Sequence, residues 1–237
     1  MAIQRLCLLD IETAILEATH YNSSANAPWA LSCNLYKRIN EYGQRLPMRL
    51  NEIAAQIGMQ VPIHFDYLKT TANSSTSGTT VPVVSAGSST IYMPTDYDHY
   101  MSFYDITNKR PIHVIENVDK WHYEELIKVP TGPPQYIEIM GFTTDGSSNW
   151  RRSGTLYPAT VSGVTPSIRL HYWRLPAIMA GTGPATEYPD IDPKYESLFI
   201  YGPVCELTRS IDPDTYAAYS MLEKELLTQM VMTSRSL

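Results

Sequence analysis

Few residue patterns in this sequence could carry out chemistry, and the clearest is His122-Tyr-Glu124-Glu125. A histidine beside two carboxylates suggests a metal site or general acid–base catalysis. The zinc-protease pattern requires a second histidine four residues further along a helix, and Leu126 stands there instead. The same segment also fits a β-strand. We therefore expect neither kind of chemistry at His122.

Two Asp-x-Asp sequences, Asp190 with Asp192 and Asp212 with Asp214, could be fragments of a calcium-binding loop. An EF-hand loop also needs a glycine at its sixth position and a glutamate at its end, and neither sequence supplies them. Because a proline that could open a helix stands beside each pair, helix capping explains both more simply. The sequence therefore predicts no metal and no cofactor.

Glycoside hydrolysis needs two carboxylates held across a cleft. Five acidic residues lie in or near predicted strands and could form such a pair: Glu116, Glu124, Glu125, Glu138 and Asp145. No flanking motif supports the pairing, and the sequence contains neither Gly-x-Ser-x-Gly nor Gly-x-x-x-x-Gly-Lys-Ser/Thr. We predict no catalytic residue and no enzymatic activity; a hydrolase that uses one of these carboxylate pairs is the alternative.

Two segments, residues 71–80 and 143–154, are rich in Ser, Thr, Asn and Gly. Neither could bury enough apolar area to offset the entropy lost on ordering, so both are predicted as loops. Such loops could become ordered against a partner, or be ordinary hairpin tips. In the second loop, Trp150 beside Arg151 and Arg152 could stack on a base or a sugar, or belong to a solvated tip.

The charge distribution argues against tight nucleic-acid binding. The 237 residues include 18 Lys or Arg and 24 Asp or Glu, for a net charge of −6, and the acidic excess lies in residues 176–237. A protein that grips DNA phosphates needs the opposite sign. Double-stranded DNA could still pass an acidic surface without sequence-specific binding.

The amino-acid composition also bears on interfaces, on the redox compartment and on membrane insertion. Seventeen Tyr against four Phe suit partly hydrated interfaces, or a β domain with half-buried tyrosines. The three cysteines have no close spacing, which favours buried free thiols in a reducing compartment. No apolar run approaches the roughly 20 residues that a membrane span requires, and no secretory segment is evident, so no membrane contact is expected.

Residues 1–60 are predicted to be helical. A first helix carries one apolar stripe at helical spacing, formed by Leu8, Ile11, Ile15 and Ala18. We predict a second helix that opens at Pro28 and ends before Gly43, and a third that opens at Pro47.

Residues 61–175 change character, because β-branched and aromatic residues dominate in short runs between turn signals. The candidate strands are residues 61–68, 80–84, 90–93, 100–104, 112–118, 122–128, 135–140, 155–161 and 167–175.

Residues 176–237 begin with a linker broken by Pro and Gly, followed by two helices. Asp192-Pro193 is predicted to open one helix and Asp212-Pro213 the other, which runs to about Met232. The apolar face of the last helix is predicted to consist of Tyr219, Leu222, Leu226 and Met230.

Together these elements predict an α+β fold. The helices of residues 1–60 and 176–237 would form one helical bundle. Residues 61–175 would form an inserted antiparallel β domain with a sandwich or barrel-like architecture.

Six segments of the chain share an order and spacing with a known family. They are Asn34-Leu-Tyr-Lys-Arg-Ile-Asn40, Gly87-Ser-Ser-Thr-Ile-Tyr-Met-Pro94, Gly132-Pro-Pro-Gln-Tyr136, Leu156-Tyr-Pro158, Arg169-Leu-His-Tyr-Trp173 and Tyr188-Pro-Asp-Ile-Asp-Pro-Lys-Tyr195. In this order they resemble the head-to-tail adaptor, or connector, proteins of tailed bacteriophages. The resemblance covers most of residues 34–232 and rests on order and spacing, since no single motif is specific. The chain departs from the family in the loop before Val81 and in the 143–154 insertion.

The resemblance implies a structural virion protein of the neck, made in the host cytoplasm. It implies a homo-oligomeric ring, a dodecamer, between the portal protein and a tail or nozzle protein, through which DNA passes. The expected portal contacts are Leu226, Met230, Val231 and Met232. The expected tail-facing loop residues are Ser74, Ser75, Thr76, Ser77, Trp150, Arg151 and Arg152.

A second hypothesis is a glycan- or receptor-binding β module of a tail or capsid decoration protein. In it, Trp121, Trp150 and exposed tyrosines would supply the stacking surfaces for sugars.

Overall fold

The structure, a computed structural model, describes residues 5–21, 35–59, 65–74, 81–84, 87–115, 131–145 and 147–234. The predicted strand at 122–128 lies outside these residues. The chain divides into two compact units. The helical unit is Met1–Tyr67 with Pro176–Leu237, and the β unit is Leu68–Leu175. Helices in one and a sheet in the other make the protein α+β, as predicted.

Helix α1, Leu8–Ala18, confirms the first predicted helix. Three of its four stripe residues, Leu8, Ile11 and Ile15, are buried. The backbone N–H of Cys7 donates to the Asp10 carboxylate at 3.1 Å, which satisfies one of the free amides at the helix start.

Helix α2, Leu35–Gln56, is continuous where two helices had been predicted. Gly43 does not end it, because this glycine is needed for packing: a Cβ there would lie 2.7 Å from the ring of Phe199. Pro47 lacks the N–H that would bond one turn back and normally disfavours a helix interior, yet here it lies inside the helix. Tertiary packing outweighs both local signals, so the prediction of a break was wrong.

Asp192 and Asp212 act as caps, as predicted. The Asp192 carboxylate accepts the backbone N–H of Lys194 at 3.1 Å and opens a short 3-10 turn, Pro193–Tyr195. Helix α3, Leu198–Thr208, follows. Asp212 accepts both the backbone N–H of Thr215, at 3.1 Å, and its hydroxyl, at 2.6 Å, at the start of helix α4, Pro213–Ser234.

One hydrophobic cluster joins the four helices. It contains residues from both ends of the chain, among them Leu8, Ile11, Ile39, Leu46, Leu198, Val204, Leu227 and Val231. The packing between α2 and α3 is close enough that a Cβ on Gly202 would lie 1.8 Å from the Tyr42 ring.

In the described residues of the β unit, eight strands form one sheet in the order β1-β8-β4-β5-β6-β7-β3-β2. In chain order, β1 to β8 are Lys69–Asn73, Val83–Val84, Thr90–Tyr92, Tyr97–Asp105, Arg110–Ile115, Tyr136–Thr144, Trp150–Tyr157 and Ile168–Arg174. A second cluster packs within this unit, with Ile91, Phe103, Ile137, Leu156 and Leu170 at its centre.

The sheet is mixed, so the prediction of a purely antiparallel domain was wrong. β5 pairs with β6 in parallel, with His113 opposite Tyr136 and Ile115 opposite Glu138. Parallel neighbours need a long crossover connection, of a dozen residues or more, and the sequence has 20 residues between the end of β5 and the start of β6.

Strand boundaries differ from the predictions at two loops. Residues 143–154 were predicted as a loop, but β6 continues to Thr144 and β7 begins at Trp150, so both strands extend into the ends of that segment. Strand β1 lies partly within the polar segment predicted as a loop from residue 71. It is a strand because β8 offers it a full backbone ladder, from Lys69 opposite Trp173 to Asn73 opposite Arg169.

Candidate interaction surfaces

Two of the described candidate acidic residues accept hydrogen bonds within the fold. Asp190 accepts the backbone N–H of Ala177 at 2.8 Å, and Glu138 accepts the Tyr157 hydroxyl at 3.1 Å. In the described part of the chain, no group of three or more His, Cys, Asp or Glu side chains is placed to hold a metal ion. His122, Glu124 and Glu125 lie outside the described residues. The absence of catalytic residues stays a prediction.

A buried polar network joins α4 to α2. The carboxylate of Glu223, buried on α4, accepts the Tyr42 hydroxyl at 2.8 Å and a short hydrogen bond from the Arg49 guanidinium. Glu206 on α3 extends the network, because it accepts from Arg45 at 3.2 Å and lies 3.8 Å from Arg49. The charged members of the network, Arg45, Arg49, Glu206 and Glu223, border an open groove of about 310 Å³.

The electrostatics of this network favour a structural role. Burial, and then the charge of Glu223, raise the pKa of the Tyr42 hydroxyl far above its usual value, so the phenol remains a hydrogen-bond donor. Burial and Glu223 also raise the pKa of the Cys205 thiol to about 12. The reactive form of cysteine is the thiolate, and Cys205 remains a neutral thiol at physiological pH.

The buried face of α4 differs from the face that the sequence predicted. The buried residues are Glu223, Leu227, Met230 and Val231. Leu222, predicted to be on the buried face, is instead exposed, so that prediction was partly wrong. The sequence pattern missed Glu223 because a glutamate counts as a surface residue unless its partners are known.

The four predicted portal contacts differ in exposure. Met230 and Val231 lie in the hydrophobic cluster, and Leu226 is half-buried against it. Met232 is 53% exposed. Only Met232 therefore presents most of its side chain to a partner in this conformation.

Helix α4 has a second, exposed stripe, which we call the outer stripe. Its positions recur at helical spacing and all are exposed: Ala218, Met221, Leu222, Glu225, Gln229 and Met232. Met221 is 73% exposed. The helix thus carries apolar side chains on its solvent side, at Met221, Leu222 and Met232, as well as on its buried side. A surface helix normally shows one apolar face, so the outer stripe is a candidate docking surface.

The tip of the β6–β7 hairpin carries a second exposed surface. Phe142 pairs with Arg152 and Thr144 pairs with Trp150, so these side chains share one face of the hairpin. Trp150 is 69% exposed and Phe142 is 64% exposed. The guanidinium of Arg152 lies over the Phe142 ring, 5.4 Å from its centroid. Phe142, Trp150 and Arg152 are called the hairpin patch below.

Arg151 is not part of this surface. It points to the other side of the hairpin, is buried, and its Nε lies 2.7 Å from the Asp145 carboxylate. Its Nη1 donates to the carbonyl oxygen of Val81 at 3.0 Å. The expectation that Arg151 faces a partner is therefore wrong for this conformation, because strand alternation turns it away from Trp150.

Ser74 lies at the end of β1 and is tied to β8. Its backbone N–H donates to Ile168 O at 2.8 Å, and its hydroxyl accepts the Ile168 N–H at 2.8 Å. The other three residues of that predicted tail-facing loop, Ser75, Thr76 and Ser77, lie outside the described residues.

Neither a protein-family model nor a curated protein sequence matches this chain. Among the helices described above, none combines the length and the apolar character that crossing a membrane would require.

Proposed function

We propose that this protein is a non-enzymatic subunit of a ring-shaped head-to-tail adaptor in a tailed bacteriophage. The segment order that resembles that family supports the proposal. The structural observation that carries it is the outer stripe of α4, because a helix with apolar residues on both sides is suited to contact a second protein.

In this proposal the helices of both chain ends form one bundle with the β unit inserted into it. The buried side of α4 would be held to this bundle by Leu227, Val231 and the Glu223 network. The outer stripe would then be a rigid surface, since its helix is fixed from behind. Rigid elements lose little entropy on association, which favours assembly.

The portal contact would lie at the C-terminal end of the outer stripe, with Met232 as its exposed anchor. Met230 and Val231 would support that end from inside the unit. The Ser74 segment would face the tail or nozzle protein. The acidic excess of residues 176–237 suits a neck channel through which DNA slides, because like charges prevent the backbone from sticking.

The test uses the portal protein encoded in the same genome. Deleting residues from Gln229 onward would remove the core side chains Met230 and Val231, so a point substitution is sharper. Met232→Glu should lower the fraction of portal particles that carry the adaptor at least tenfold in electron micrographs. Met48→Glu, at a methionine 57% exposed on α2, is the matched control and should leave it unchanged.

Two results would contradict the proposal. One is an unmodified chain that never associates with the portal protein. The other is an equal loss of portal binding in both methionine variants, since that would show a general loss of solubility rather than a specific contact.

The glycan-binding alternative is favoured by one observation, the exposure of Trp150 and Phe142 on one face of a hairpin. Aromatic faces stack on the apolar faces of sugars. A glycan array distinguishes the two functions: saturable binding that is lost in Trp150→Ser favours this alternative, and no binding favours the adaptor.

A further inference from the structure

The two exposed surfaces described above have complementary chemistry. The hairpin patch presents two exposed aromatic rings and the half-buried cation of Arg152. The middle of the outer stripe presents Met221, Leu222 and one anion, Glu225. Thioether and aromatic groups contact each other favourably, and Trp and Arg are the residues most enriched among strong interface contacts.

Their spacing also matches. Along an extended strand, Trp150 and Arg152 are two residues apart, which is about 6.7 Å. Along a helix, Met221 and Glu225 are four residues apart, which is about 6 Å. An aromatic ring placed against Met221 would therefore bring the Arg152 guanidinium near the Glu225 carboxylate.

A ring of identical subunits needs two different surfaces on each subunit, because each copy contacts the next head to tail. We infer that the hairpin patch of one copy binds the outer stripe of α4 around Met221, Leu222 and Glu225 on the neighbouring copy. The inference rests on the proposed ring, and it assigns Trp150 and Arg152 to a second copy of this chain rather than to the tail.

Glu225 is available for this contact. Within the described part of the chain, its carboxylate accepts one hydrogen bond, at 3.2 Å from the Gln229 amide one turn further along the exposed side. Such a pair on the surface contributes little by itself. On assembly, Glu225 would exchange its hydrogen bond with Gln229 for a charge-assisted contact with Arg152. Because water is excluded from such an interface, this contact would strengthen the attraction between copies.

The first experiment is cross-linking between two populations, alone and on portal particles. Both carry Cys33→Ser, since the native Cys7 and Cys205 are buried. One population carries Trp150→Cys and the other Met221→Cys. A short bismaleimide should yield a cross-linked dimer only when the two are mixed. Replacing the second population with Met48→Cys should yield no dimer.

The second experiment reverses the charges. Arg152→Glu and Glu225→Arg should each raise the concentration needed for half-assembly about tenfold, measured by native mass spectrometry, because each variant places like charges together. The double variant should restore most of the assembly. A general loss of folding could not produce such a rescue.

The inference would be overturned if rings form but residues 150 and 221 do not cross-link. It would also be overturned if the double charge variant assembles no better than the single variants. Either result would leave the proposed adaptor function standing. The inference would likewise be overturned if residue 150 cross-links to a tail protein, or if a bound glycan protects residue 150 from cross-linking, while assembly is unaffected. If the unmodified chain forms no assembly, alone or with the portal, both the proposed function and the inference are wrong.

Discussion

Removing the Glu223 side chain tests whether a polar network, rather than an apolar stripe alone, fixes α4. Glu223→Ala leaves the Tyr42 hydroxyl without its 2.8 Å acceptor, and Tyr42 is fully buried. An unpaired buried hydroxyl costs about 1–3 kcal/mol. The Arg49 side chain is 28% exposed and can regain water, so its loss adds only about 1 kcal/mol.

The expected destabilisation is therefore about 3 kcal/mol. With a urea dependence of about 2 kcal/mol/M, the unfolding midpoint should fall by about 1.5 M. The assay is urea unfolding followed by circular dichroism at 222 nm, a signal that comes mainly from the helical unit. Glu225→Ala, two residues further on and exposed, is the matched control and should change stability by less than about 0.5 kcal/mol.

A double-mutant cycle sharpens this prediction. Tyr42→Phe alone should cost about 2 kcal/mol, because it removes one hydrogen bond to a charged group. In the Glu223→Ala background the same change should be neutral or stabilising, because the hydroxyl it removes is already unpaired. The reasoning is refuted if Glu223→Ala costs no more than Glu225→Ala, or if Tyr42→Phe costs the same in both backgrounds.

Three further predictions concern single sites. Gly202→Ala should destabilise the protein by about 3 kcal/mol or prevent folding, because its Cβ would overlap the aromatic ring of Tyr42 on α2. The control is Gly141→Ala, whose Cβ would have no neighbour within 4 Å and which should leave the thermal midpoint of unfolding nearly unchanged. Cys205 should resist iodoacetamide at pH 8 until urea unfolds the chain, since its pKa of about 12 leaves almost no thiolate; labelling of the native protein there would contradict this. Hydrogen bonds from the Thr215 side chain and backbone hold the pKa of Asp212 below its usual 3.8. The ionised carboxylate therefore stabilises the fold fully above pH 3.8, and this stabilisation is lost as the pH falls through the lowered pKa. Thr215→Ala should return the Asp212 pKa toward 3.8 in a carboxyl NMR titration, and an unchanged pKa would refute the assignment.

Local signals in the sequence were sufficient for features that depend on a few neighbouring residues. The caps at Asp192 and Asp212 follow from short-range chemistry, since the acceptor and donor are only two or three residues apart. The buried stripe of α1 follows from helical periodicity, because its residues share one face regardless of the partner.

Features that depend on distant residues were missed. Gly43 indicates a helix end by its local propensity, but its actual neighbour is Phe199, far along the chain. Burial of Glu223 depends on Tyr42 and Arg49, which lie on another helix. The parallel pairing of β5 with β6 depends on the connection between them rather than on the alternation within either strand.

The candidate surfaces were predicted in part for the same reason. Trp150 stood out as a hydrophobic residue in a polar segment, and it is exposed. The separate roles of Arg151 and Arg152 follow from the register of the hairpin, which only the structure gives. The outer stripe was not recognised because an apolar residue on a helix is ordinarily assigned to the core.

The pairing of Lys69 with Trp173 places the first and last strands of the β unit side by side. Neighbouring strands are about 4.8 Å apart, so a few glycines could bridge the gap left by excising residues 69–173. Such an adjacency is what allows one domain to be exchanged for another within a host fold without disturbing it. The β unit could thus be replaced, by evolution or by design, while the helical scaffold keeps its own contacts.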